Sequence, residues 1–173
     1  MKHIPILLFL CCNFFLSAFS KAQTTAADNR PQHVITYSSI PEGPSIMGTF
    51  EGRPPCLEIA KQLNIPISSD CIKLKWRLTL YHDAKTHQPT NYTLEGSFFR
   101  EKVRKGNWAI VQTTKPHAGA TVYQLDPGKP GQSFYFLKGD DNVLFILDEN
   151  MNFRVGNSDF SYTLNRVIRV KEK

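Results

Sequence analysis

The segment Ile72-Lys73-Leu74-Lys75-Trp76-Arg77-Leu78-Thr79-Leu80-Tyr81 carries an apolar side chain at every second position. A helix, turning once in 3.6 residues, would scatter Ile72, Leu74, Trp76, Leu78 and Leu80 around its circumference. A strand gathers them on one side and sets Lys73, Lys75, Arg77, Thr79 and Tyr81 on the other. The segment therefore reads as a half-buried strand. Its basic stripe, Lys73, Lys75 and Arg77, reads as a solvated face in preference to a surface for an anionic partner.

Working outward, the same pattern recurs at short intervals. Extended runs are expected at Ile46 to Gly52, Asn91 to Arg100, Asn107 to Gln112, Thr121 to Leu125, Ser133 to Leu137, Val143 to Asp148 and Asp159 to Val167. Turn chemistry fills the gaps, as in Asp83-Ala84-Lys85, Asp126-Pro127-Gly128 and Lys138-Gly139-Asp140-Asp141. Such connections are too short for parallel crossovers, so the strands pair antiparallel. The expected fold class is all-β: a small antiparallel up-and-down β-barrel, lipocalin-like, with a sandwich as the alternative. Trp76, Phe98, Trp108, Tyr123, Phe145 and Leu147 fall on these runs and read as core. A small barrel of this kind is either filled by side chains or hollow, and the pattern fits both. One segment, Leu57 to Asn64, has helical spacing, with Leu57, Ala60 and Leu63 on one face and Pro66 beyond it. It is expected as a short helical insertion.

Upstream the character changes. Met1-Lys2-His3 is a basic start, Ile4 to Ala18 is apolar, and Ser20-Lys21-Ala22 offers small residues at a cleavage site. This is the layout of a secretory signal peptide over 1–22, too short and wrongly flanked to span a membrane. Cys11 and Cys12 lie within the apolar run, but bulky Leu10 precedes Cys11. Simple export is thus expected over lipidation, and membrane association only if a lipid is attached. Residues 23–45 are polar, with Pro31, Pro41 and Pro44, and read as a flexible leader to a barrel domain over 46–170. Cleavage after Ala22 removes Lys2 and Lys21 from the 21 basic residues and nothing from the 15 acidic ones, leaving a charge of +4. That is mildly basic, without the focused patch of a nucleic-acid binder, so no nucleic-acid partner is expected.

Cleavage also leaves two cysteines, Cys56 and Cys71. In an exported chain such a pair reads as a disulfide; if reduced, it would be a thiolate metal pair. The remaining histidines, His33, His82, His87 and His117, are scattered. Only His82 and His87 share a turn, and surface histidines of this kind usually hold no ion. No nucleophile elbow, metalloprotease helix or phosphate-cradling glycine loop is present. Asp140-Asp141-Asn142 lacks the oxygen spacing of a calcium loop and reads as a hairpin turn. Asn91-Tyr92-Thr93 matches a glycosylation acceptor, a match frequent by chance. These observations point away from an enzyme.

An ordered set of short motifs resembles a known family. Gly48-x-x-x-Gly52-Arg53-Pro54-Pro55-Cys56 opens it, Asp70-Cys71-Ile72 follows, and then Leu74-x-x-x-Leu78-Thr79-Leu80-Tyr81-x-Asp83. Tyr92 to Gly96, Gly106-Asn107-Trp108, Tyr123-x-Leu125, Leu144-x-x-Leu147-Asp148 and Phe160 to Arg166 complete it. In this order they resemble the N-terminal domain of the copper-resistance lipoprotein NlpE family, over roughly Ile46 to Arg166. The resemblance implies a small barrel of the cell envelope, in the periplasm or at the outer membrane, with a non-enzymatic role in copper tolerance or envelope-stress sensing. The family's Pro-Cys-x-x-Cys motif is split here: Pro55-Cys56 and Asp70-Cys71 match its ends, with Leu57 to Ser69 inserted. A compact Cys-x-x-Cys grips one soft metal readily, and the split weakens the copper inference. No cofactor is expected beyond that copper. The expectation is a monomeric binding or sensing module whose partner is an envelope protein or a small ligand; the alternative is a lipocalin-like carrier of a small apolar ligand.

Overall fold

A computed structural model describes residues 37–113, 118–129 and 131–168. The expected signal peptide, the leader up to residue 36, His33, His117 and the last residues of the expected domain lie outside the described residues. Eight strands form a closed antiparallel barrel, each hydrogen-bonded to its neighbours in sequence. They are β1 (Ile46–Gly52), β2 (Trp76–His82), β3 (Pro89–Gly96), β4 (Arg104–Gln112), β5 (Thr121–Leu125), β6 (Phe134–Lys138), β7 (Val143–Ile146) and β8 (Thr163–Arg166). Between β1 and β2 lies one helix, α1 (Cys56–Gln62). The barrel closes where β8 returns to β1, through Phe50↔Arg166 and Glu51↔Asn165.

Period two dictates what fills the barrel. Phe50, Leu78 and Leu94 stand side by side on β1, β2 and β3 and point inward. Trp76 follows in the next inward row, flanked by Gly52 and Gly96. The two glycines are required there. A Cβ on Gly52 would collide with the Thr163 carbonyl, and one on Gly96 with the Lys75 carbonyl; Gly96 also has φ +109°. Trp108, Leu125, Phe134, Phe136, Leu144 and Leu164 complete the core. Trp76 packs edge-on to Phe134, with ring centroids 5.3 Å apart, and its indole N–H donates to the Ser97 carbonyl at 2.9 Å. Trp76, Leu78, Leu80, Leu94, Phe134 and Phe136 have no surface a water molecule can touch. An eight-stranded barrel is just wide enough for side chains to fill it, and here they do.

Several expectations need correction. Ile72 is 66% exposed, because the strand begins only at Trp76; residues before it belong to the loop that Cys71 ties down. The face opposite the core is not uniformly wet. Arg77 is 8% exposed, since residues 37 and 38 lie against it on the outside of the wall, and Thr79 is buried, its hydroxyl 3.2 Å from that of Thr49. There Ser38 Oγ donates to Glu95 at 2.7 Å, and the Arg77 guanidinium donates to the Ser38 carbonyl and sits 4.3 Å from the Tyr37 ring centroid.

Phe98 does not sit on an alternating strand. β3 ends at Gly96, and Phe98, at φ +71°, belongs to the turn that follows. The last strand is likewise shorter than expected, because Asn157 and Phe160 close a turn ahead of Thr163. Phe145 and Leu147 are core, but not barrel core. Val111, Val122, Leu137 and Phe145 form an outward apolar row across β4 to β7, and Leu147 and Met151 pack with it. In α1 the buried face is Cys56, Ile59 and Ala60, while Leu57 is 53% exposed. The disulfide turns the helix so that Cys56 faces inward.

Candidate functional site

The strands' ends divide the barrel into a hairpin end, with the turns after β2, β4 and β6, and a helix end. The helix end carries the long connections, α1 and both cysteines. Cys56 and Cys71 form a disulfide that closes a segment of 15 residues. Cys56 is buried at the first turn of α1, and Cys71 packs partly against the core. The pairing expected from the sequence is therefore present. Its consequence for copper is direct: two sulfurs bonded to each other offer no thiolate, so in this state the pair does not fit a soft metal. Among the described residues no group of three or more His, Cys, Asp and Glu side chains is placed to hold an ion. His82 and His87 do meet, ring centroids 4.9 Å apart, but one ring nitrogen of His82 already bonds the Pro44 carbonyl at 2.9 Å.

Polar contacts hold the helix end together. Gln62, in the last turn of α1, donates from Nε2 to the Ser133 carbonyl at 2.9 Å. Its Oε1 accepts from Arg154 at 2.5 Å. Beneath them lies a buried network that no sequence spacing announced. Tyr92 donates its hydroxyl proton to Asp126 Oδ2 at 2.6 Å, and Arg104 donates to the same oxygen at 2.7 Å. Arg104 also donates to the Tyr92 hydroxyl at 2.9 Å and lies over the Phe134 ring, 4.8 Å from its centroid. Burial pushes the Asp126 carboxyl upward, but the hydrogen bonds from Tyr92 and Arg104 and the nearby cationic charge outweigh it, and its pKa falls below the usual value. Burial and the bond to Asp126 push the Tyr92 phenol well up. Asp126 was legible only as a turn residue. What pairs positions 92, 104 and 126 is the register of β3 and β4 and the reach of the β5–β6 turn. The Tyr92 hydroxyl and two guanidinium nitrogens of Arg104 are engaged within it, as expected of a structural clamp.

Outside the barrel, where β1 meets β8 at the helix end, lies an open hollow of about 500 Å³. Tyr37, Arg53 and Lys75 line it together with Asp159, Phe160 and Ser161 from the segment that leads into β8. Glu51 lines it too, but its charge is taken up by Arg77, whose Nε and second guanidinium nitrogen reach Glu51 Oε1 at 2.7 and 2.5 Å. Burial, then the Glu51 charge, pushes the Tyr37 phenol up to about 12, so it remains a protonated donor near neutral pH. Sequence reading named Lys75 only as part of a solvated stripe and missed the hollow. Its walls come from residues 37, 53 and 75 and from 159–161, 163 and 165, which only barrel closure brings together.

Against known proteins, no family model, no curated protein and no solved structure matches this chain.

Proposed function

We propose that this protein is a non-enzymatic binding or sensing module of the bacterial cell envelope. The NlpE resemblance names copper tolerance or envelope stress as the process it serves. The observation that carries the reading is a filled barrel whose helix end is clipped by a disulfide. With Trp76, Phe134 and their neighbours occupying the axis, recognition falls to the outer surface and not to an internal ligand, which weighs against a lipocalin-like carrier. A disulfide is compatible with an oxidising compartment and hence with export. Because the sulfurs are consumed in it, a copper role would run through signalling or a partner and not through a Cys56–Cys71 metal pair.

The test is a strain lacking the protein, challenged with copper and, separately, with envelope-perturbing detergent. The expected outcome is hypersensitivity to at least one, rescued by the wild-type chain and also by the Cys56→Ser/Cys71→Ser double variant at matched abundance. Growth identical to the parent under both challenges would overturn the reading. Mass spectrometry of the mature protein from the same cells reports the cleavage site, any lipid and any retained metal.

A further inference from the structure

We propose that the outer hollow beside the β1–β8 seam is a binding site for a phosphorylated sugar. The inference goes beyond the envelope reading and does not depend on it. Charge is the first argument. The side chains of Arg53 and Lys75 line the hollow, and neither has an ion pair or hydrogen-bond partner among the described residues. Lys73 is close by, its Nζ 4.7 Å from the Phe160 ring centroid. Glu51, a carboxylate in the same lining, is already neutralised by Arg77. Unpaired cations on two neighbouring segments, at residues 53 and 75, suit an anion with several oxygens, because each can make a charge-assisted hydrogen bond to a different one.

The second argument is shape and polarity. Two rings, Tyr37 and Phe160, line the hollow and offer apolar surface to the C–H side of a sugar. Hydroxyl and amide groups make up much of the remaining lining. Ser161 Oγ and Thr163 Oγ1 lie 2.6 Å apart, and Asn165 follows on the same side of β8. The exposed Asp159 carboxylate would repel a bare phosphate, yet it is a strong acceptor for sugar hydroxyls. A lining that combines unpaired cations with a carboxylate and hydroxyls therefore matches a ligand that carries both a phosphate and hydroxyls. About 500 Å³ is also within the roughly 300–1,000 Å³ of small-molecule sites.

The experiment is a titration of the full mature chain with glucose 6-phosphate, glucose and inorganic phosphate, followed by backbone amide NMR shifts at Gly52, Ser161 and Thr163. Glucose 6-phosphate is expected to shift these amides saturably, and at least about tenfold more tightly than either fragment. The Arg53→Gln/Lys75→Gln double variant, which alters two solvent-facing side chains, should keep the wild-type spectrum elsewhere and weaken binding by about tenfold or more. Vesicles of phosphatidylcholine with and without phosphatidylinositol 4-phosphate separate the two sources of this chemistry. Co-sedimentation only with the phosphoinositide assigns the site to a lipid-linked head group, and its absence assigns it to a soluble sugar phosphate. No saturable shift up to about 10 mM, equal affinity for inorganic phosphate, or undiminished binding by the double variant would each overturn the proposal.

Discussion

Arg77 shows how a single residue departs from its pattern. It lies on the side of β2 that faces away from the core, yet it is buried, bonded to Glu51 and the Ser38 carbonyl and stacked on Tyr37. Removing it would leave Glu51 and the carbonyl without their donor. Arg77→Ala should therefore cost about 1–3 kcal/mol, the usual worth of hydrogen bonds that involve a charged group. Trp76→Ala, in the core, should cost about 3–5 kcal/mol. Lys75→Ala, next to Trp76 in the chain and without a side-chain partner among the described residues, should fall within about 0.5 kcal/mol. Urea titration of the three variants checks the order; a neutral Arg77→Ala would mean that residues 37 and 38 do not hold this position in solution. Asp126 supplies a second test. Its folded pKa is depressed, so its contribution is present above the unfolded value near 3.8 and is lost as pH falls through the lower folded value. Wild-type stability should drop over that acid range. Asp126→Asn should be less stable at neutral pH and show a shallower acid loss, measured by urea unfolding across a pH series.

At the scale of the element, the helix end depends on a clip more than on helix propensity. α1 spans seven residues and has no side-chain N-cap bond, too short to persist by itself in water. The disulfide, the Gln62 contacts and burial of Ile59 hold it in place. Closing a loop of this size stabilises by roughly 3 kcal/mol in the chain-entropy model. The Cys56→Ser/Cys71→Ser double variant should lose about that much, and reduction of the wild type should match it; an unchanged urea midpoint in both would show that the clip is energetically idle. The seam behaves differently. β8 has four residues and meets β1 through two residue pairs, whereas β2 and β3 pair along six. Native-state hydrogen exchange should release the amides of β8 before those of β2 and β3, since fewer contacts mean cheaper local opening.

For the whole molecule the filled interior makes the firmest claim. A barrel with an empty core would gain stability from an apolar ligand, by mass action. This one should not: laurate or retinol at about 0.1 mM should leave the melting temperature unchanged within about 1 °C, and a rise of several degrees would reveal a cavity. Closure also joins residues far apart in the chain, since β1 pairs with β8 across more than a hundred residues. It brings Tyr37, Arg53, Lys75 and Asp159 to one place while leaving all the other pairings between sequence neighbours.

That division marks what could be read from the chain alone. Alternation over Ile72 to Tyr81 and turn residues at short intervals determined an antiparallel all-β fold, because side-chain direction and hairpin geometry are local properties, while the choice of a closed barrel over a sandwich fell to the pairing of β1 with β8. Two cysteines in an export-like chain pointed to the disulfide in the same way, through composition. The tertiary structure alone decided that the interior is full, that Arg77 and Thr79 are covered, and that one apolar row crosses the outer side of β4 to β7. It also decided which residues share the Asp126 clamp and the hollow at the seam. Each of these depends on the register between strands and on where residues 37 and 38 lie, and on contacts between positions tens of residues apart that no local pattern encodes.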